Sequence, residues 1–364
     1  MKKVLSILSF IILLVIAVGC DGREKLYVLS WGEYINEDVI AAFEEEFGVR
    51  VVITEATSNE SMHNRIQTNA GQYDIVIPSD YMMERMVEDD LLHELDFSKL
   101  PNYSKDKFDP KLQELRDNYF EGNEKYGVPY FWGTLGIMYN DSKQGVKELV
   151  EENSWAVFFE QNIIPSGVTV GMYDSSRDAV AAGLLYLDKD LNTTIDADFN
   201  EVEALLKGFN YSHWGTDDLK EAVASKNLDI ALVYSGDFFD QLYFSIDNDI
   251  DVTFDMFVDQ ERNNVWFDAM VIPKTSASQE KIDLAHAFIN FFLDEDNALE
   301  NATYIGYCPP LSAVYDAILE DEDISDLVTH PGYYPGTVDG QIYRHLGSAV
   351  ANRMDEILNR AKIR

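Results

Sequence analysis

From Leu26 to Ser79 short apolar runs alternate with amphipathic ones, and this alternation constrains the fold more than any other feature of the chain. LYVLSW (26–31) has the β-branched and aromatic content of a strand. In NEDVIAAFEEEFG, Asn36 is placed to cap a helix, Val39, Ile40, Phe43 and Phe47 recur on one helical face, and Gly48 is a terminator. VRVVITEA reads as a second strand, SNESMHNRIQTNAG as a second capped helix closed by Gly71, and YDIVIPS as a third strand leading into a helix from Asp80. A βαβαβ order needs crossover helices between parallel strands, so it predicts a doubly wound α/β sheet.

A second set begins near Gly133. TLGIMYN, VTVGMYD and LDIALVYS are predicted strands, with helices around Asp178 to Leu187 and Phe199 to Leu206 between them. VWFDAMVIP is one more strand, IDLAHAFINFFLD a strongly apolar helix, and a last helix is expected from about Ile342 to Ala361. A chain of 364 residues accommodates two such units. Crossovers near Gly133 and Val265 would make one lobe of residues 24–133 and 266–310 and the other of 134–265 and 311–364, with a cleft between them.

The first twenty residues belong to neither lobe. Met1, Lys2 and Lys3 precede an apolar run from Val4 to Gly19 and then Cys20, which is the order of an export signal and too short for a comfortable membrane span. AVGC at Ala17 to Cys20 resembles the lipobox of bacterial lipoproteins, with Ala17 where Leu is usual, and implies cleavage before an acylated Cys20. The expected location is therefore periplasmic or cell-surface, anchored to the membrane through that lipid. The plain alternative is a secretory signal cleaved nearby. With Cys20 acylated, Cys308 has no partner for a disulfide, and IGYCPP reads as a small buried cysteine.

Formal net charge is −37, from 65 acidic and 28 basic residues, which argues against a nucleic-acid partner and for attraction of cations. In open α/β sheets ligands sit beyond the carboxyl ends of the strands. Trp31, Glu33 and Tyr34 follow the first strand, Ser79 and Tyr81 the third, and Asp174, Ser175 and Asp178 follow VTVGMY. Tyr234 follows LDIALV, and Trp266 and Asp268 lie within VWFDAM. Aromatic faces attract ammonium groups and pack methylenes, while carboxylates accept charge-assisted hydrogen bonds, so this set suits an elongated organic cation.

The segments LYVLSWGEY, FGVRVVITEATSNESM, YDIVIPSDYMMERM, VPYFWGTLGIMYN, VWFDAMVIP and IGYCPP, taken in order, resemble those of the periplasmic spermidine/putrescine-binding proteins of bacterial polyamine ABC transporters. The resemblance implies a two-lobed periplasmic-binding-protein-like α/β fold with the ligand between the lobes and an ABC permease as partner; a monomer is expected because lobe closure needs free surfaces, and no cofactor, metal or enzymatic activity is expected. It implies polyamine contacts at Trp31, Tyr34, Ser79, Tyr81, Trp266, Asp268 and Tyr307. Tyr234 stands where the family often has Trp, and DSSRD stands where it has DxxRE, so Asp178 keeps one acid, Ser175 replaces the other, and Asp174 is the substitute. A late glutamine contact maps to Gln341, with Tyr343 as the other occupant of that place.

Plainer roles exist for several of these residues. Ser79 and Ser175 suit helix N-caps, Trp31 a sheet cap, and Trp132 the core. The six histidines have no metal-binding spacing, and there is no G-x-S-x-G, Walker A or G-x-G-x-x-G motif. Two other functions stay open at this point: a ferric-ion binder using Tyr333 and Tyr334, and an exported hydrolase with a carboxylate pair.

Overall fold

The computed structural model describes residues 22–363 apart from 69–71, 277 and 323. The expected export signal and Cys20, and Gly71 at the end of the second helix, lie outside the described residues. Ten strands form one continuous sheet: β1 (Lys25–Ser30), β2 (Arg50–Glu55), β3 (Ile75–Val76), β4 (Gly127–Asn140), β5 (Val170–Tyr173), β6 (His213–Gly215), β7 (Ile230–Tyr234), β8 (Phe254–Phe257), β9 (Asn263–Val271) and β10 (Gly340–Gln341). Their order is β2-β1-β3-β9-β4-β7-β5-β6, with β10 beside β9 and β8 beside β4.

Both outer units are parallel. β1 pairs in parallel with β2 and β3, and β5 with β6 and β7, as crossover helices require. The centre differs from the purely parallel expectation: β9 runs antiparallel to β3 and β4, and β4 antiparallel to β7 and β8. TLGIMYN is only the second half of β4, whose fourteen residues are all buried. Its first half, through Thr134, pairs with β9, and its second, from Leu135, pairs with β7 and β8. The register slips between Pro129 and Phe131, where proline has no N–H to give the ladder.

Helix ends follow their local chemistry. Asn36 accepts from the Asp38 N–H ahead of the helix Glu37–Phe47, and Gly48 ends it at φ 66°, a left-handed conformation that glycine adopts without a Cβ clash. Ser58 caps the helix Asn59–Gln67 through the Ser61 N–H. The last helix is Ser348–Lys362, shorter than expected, because residues 340–341 join the sheet as β10 and Gly347 sits at φ 81°. Among the described residues no helix is long and apolar enough to cross a membrane.

The core lies along β4 and β9 and under the helices on either side. Trp132 is buried and donates its indole N–H to the Pro309 carbonyl at 3.1 Å, so it is core rather than cleft. Cys308, the cysteine among the described residues, is buried beside it as a free thiol. Each large apolar side chain buried in this way contributes about 1.5–3 kcal/mol. That rigidity holds the strand ends that carry the cleft.

Candidate functional site

Trp31 begins the turn after β1, and Glu33 in that turn has φ 50°. The twist buries Tyr34, whose hydroxyl donates to Asp268 Oδ2 at 2.8 Å, while its carbonyl accepts from the Tyr130 hydroxyl at 2.8 Å. The loop after β1 is thereby fastened to β9 and β4.

A cavity of about 460 Å³ opens at these strand ends. The residues singled out in the sequence line it, with one exception. Trp31, Tyr34, Ser79, Tyr81, Trp266, Asp268 and Tyr307 meet Asp174, Ser175, Asp178 and Tyr234 across it. Gln341 does not. It sits in β10, where its Oε1 accepts from the Leu191 N–H at 2.9 Å and its carbonyl accepts from Asn264 Nδ2. Pairing with β9 commits it to the sheet, and Tyr343, two residues on, lines the cavity instead.

Aromatic rings form a continuous row. Tyr173 lies 5.2 Å from Tyr234, Tyr234 lies 5.5 Å from Trp266, and Trp266 lies 5.8 Å from Tyr307, which is 5.3 Å from Tyr34, all edge to face. Two glycines make the row possible. A Cβ on Gly133 would stand 2.6 Å from the Trp266 ring, and one on Gly236 would stand 2.2 Å from the Tyr307 ring. Among the described residues the indole N–H of Trp266 is buried without a hydrogen-bond partner; the Trp31 indole N–H and Asp268 Oδ1 make no bond of good geometry, although the Trp31 side chain lies close enough to Asp268 to help lower its pKa against the rise that burial causes. Buried polar atoms are rarely left so; an ammonium donor would satisfy Asp268 Oδ1, whereas the indole N–H groups require an acceptor such as water.

Carboxylates are distributed along the row. Asp268 is 5% exposed, and burial pushes its carboxyl up to about 6 although the Ser79 and Tyr34 hydroxyls beside it pull the other way. Asp178 is buried at the other end, accepting from the Tyr343 hydroxyl at 3.1 Å, and burial raises it too. Behind it, Arg177 lies over the Tyr343 ring at 4.2 Å and donates to Leu191 O and Asn192 Oδ1.

Several predicted contacts have additional partners. Ser175 caps its helix through the Asp178 N–H, and Ser79 Oγ accepts from Asn59 Nδ2 at 3.1 Å. Tyr81 donates to Glu60 at 3.4 Å. Asp174 lines the cavity and is also bound through both oxygens to Lys362 at 2.6 Å.

Sequence reasoning stopped at Tyr234 and missed Asp237, three residues on. It is buried, accepts from the Tyr307 hydroxyl at 2.6 Å, and is pushed up to about 6 by burial, against the pull of Lys220. The signal was present: SGDFFD follows a strand end, with an acid at the third helical position that also accepts from the Tyr234 N–H at 3.4 Å. Lys220, also missed, is the one basic side chain on the cavity wall among the described residues. Tyr333 and Tyr334 lie outside this cavity. Tyr333 is buried, and the Tyr334 hydroxyl donates to Asp109 at 2.6 Å.

The chain matches the model of the bacterial extracellular solute-binding protein family over residues 38–331. It belongs to that family. The spermidine/putrescine-binding periplasmic protein of Escherichia coli K12 is 27% identical over 320 residues, covering 86% of this chain and 85% of that protein. The putrescine/cadaverine-binding protein of Pseudomonas aeruginosa is 29% identical over 323 residues, covering 86% of each. A solved structure from Listeria monocytogenes, ascribed to a spermidine/putrescine ABC transporter, is 31% identical with a TM-score of 0.78 over 93% of this chain and 99% of its own. The substrate-binding protein PotD of Streptococcus pneumoniae is 28% identical, with a TM-score of 0.71 and the same coverage. These solute-binding proteins are two-lobed, and this chain shares the architecture.

Proposed function

We propose that this solute-binding protein captures a polyamine, putrescine or spermidine, in the cleft and delivers it to an ABC permease for import. The observation that carries the reading is the aromatic row from Tyr173 to Tyr34, flanked by the buried carboxylates Asp178, Asp237 and Asp268. Buried carboxylates without full compensation are unfavourable, and an ammonium restores the balance. An aromatic face contributes about 0.5–2 kcal/mol to an ammonium. A charge-assisted hydrogen bond adds about 1.5–3 kcal/mol. Micromolar affinity needs about 8 kcal/mol net, within reach of this set. The names of the relatives point to the same ligand class.

On this reading the protein is a transport component rather than an enzyme. It is exported by its leader, acylated at Cys20 and monomeric. The lobes are residues 24–133 with 266–310 and 134–265 with 311–364, hinged where β4 and β9 pass between them. Closure around the ligand presents the permease with a distinct shape.

Calorimetric titration of the purified protein with putrescine, cadaverine and spermidine tests this, with arginine as a non-polyamine cation. Micromolar or tighter binding that Trp266→Ala abolishes is the expected result. No heat with any of the three amines would sink the proposal.

A further inference from the structure

We propose that Lys220 acts as a built-in ammonium at one end of the cleft, so that the site favours a diamine over longer polyamines. The inference rests on the polyamine reading and adds the length of amine the site selects.

Lys220 projects from the helix Asp218–Ala224 and is 7% exposed. Its Nζ lies 2.5 Å from Asp240 Oδ2 and 3.8 Å from Glu33 Oε2, and both residues line the cavity. Burial alone would lower its pKa, but Asp237, Asp240 and Glu33 more than offset that and raise it, so the side chain is charged at neutral pH. A lysine side chain is four methylenes ending in a primary ammonium, the same group that ends an aliphatic polyamine. The protein thus places its own alkylammonium among carboxylates and aromatic rings.

Of the acids on the cavity wall, buried carboxylates flank the row at two places. One is at Asp178, beside Tyr234 and Tyr343. The other is at Asp268 and Asp237, between Tyr34 and Tyr307. Lys220 acts on Asp237 as well as on Asp240, so an ammonium brought to that end meets a positive charge already seated there, and like charges at close range in a buried site repel strongly. Arg177 does not play the same part at the far end, because its guanidinium lies behind Asp178 and bonds to Leu191 and Asn192. The plain alternative is that Lys220 only neutralises Asp240 and steadies its helix, a role that would affect melting and leave selectivity alone.

The experiment is calorimetric titration of the purified protein and of Lys220→Met with putrescine and with spermidine, each with a melting curve. We expect the unsubstituted protein to prefer putrescine, and Lys220→Met to shift the spermidine-to-putrescine affinity ratio toward spermidine by about tenfold or more. An unchanged ratio in a folded Lys220→Met overturns the proposal. So does a preference for spermidine in the unsubstituted protein, a result that stands even if the variant fails to fold. Failure of both amines to bind the unsubstituted protein is a different outcome, which removes the polyamine reading itself.

Discussion

Asp268→Asn should change binding and stability in opposite directions, and both magnitudes follow from the carboxylate's surroundings. Burial raises the Asp268 carboxyl from an ordinary 3.8 to about 6, which corresponds to about 3 kcal/mol against the ionised folded form. A group whose folded pKa is raised destabilises the fold as pH rises from the unfolded value through the folded one. The full penalty therefore applies above about pH 6, about half of it remains near pH 5, and little is left by about pH 4. Asparagine keeps the shape and an acceptor for the Tyr34 hydroxyl but weakens that bond by about 1 kcal/mol. The ligand-free variant should then be more stable by about 1–2 kcal/mol at neutral pH, with the gain shrinking on acidification. Its affinity for a polyamine should fall by about 1.5–3 kcal/mol, or roughly tenfold to a hundredfold, because a neutral amide replaces a charged acceptor. Thermal unfolding followed by circular dichroism across this pH range measures the first effect, and calorimetry measures the second. A stability difference that is flat with pH, or an affinity equal to that of the unsubstituted protein, would refute the reasoning.

Three further outcomes can be measured on the same cleft. Asp237 and Asp268 both titrate at about 6, so they are ionised above that pH and neutral below it while the amine stays protonated. Affinity should weaken as pH falls through 6, and a constant affinity down to about pH 5 would contradict the assignment of these acids. Gln341→Ala should leave affinity unchanged because its side chain serves the Leu191 N–H, whereas Tyr343→Phe, which removes the hydroxyl on Asp178, should weaken binding by about 1 kcal/mol. Equal effects of the two in titration would return Gln341 to the site. Gly236→Ala should displace the Tyr307 ring and its bond to Asp237, reducing affinity more than tenfold in a protein that circular dichroism reports as folded; retained affinity would show that the ring's position is immaterial.

The legible part of this protein was the part that follows local rules. Asn36, Ser58 and Gly48 mark helix ends through chemistry confined to a few residues, and the parallel unit β1-β2-β3 follows from alternation alone. The central antiparallel pair was harder to read. Pro129 interrupts the pattern of β4 in sequence, yet in space its missing N–H is absorbed by a register slip against β9. The cleft residues at strand ends could be picked out because an aromatic beside a carboxylate is unusual there. Lys220 could not, since on its own helix it looks like any surface lysine, and only the fold brings Asp240 and Glu33 to it. The partner of Asp174 was illegible for the same reason: nothing local announces that Lys362, 188 residues later, will pair with it.

The overall acidity and the cleft are connected through how such a site closes. Acids face the cavity from both sides: Glu60, Asp80 and Asp268 on elements joined to the β1-β2-β3 unit and β9, and Asp178 and Asp237 on elements that follow β5 and β7. Across an empty cleft these groups repel one another, and desolvating them together is unfavourable, as the raised carboxyls of Asp178, Asp237 and Asp268 already indicate. On the proposed function, a dication between the walls would turn both repulsions into attractions and so favour closure. An uncharged solute of the same shape would fill the cavity without reversing that repulsion. If the proposed function holds, selectivity for cations and coupling of occupancy to closure would be one electrostatic property, and Lys220, by cancelling part of the charge at one end, would set how much positive charge the ligand must bring.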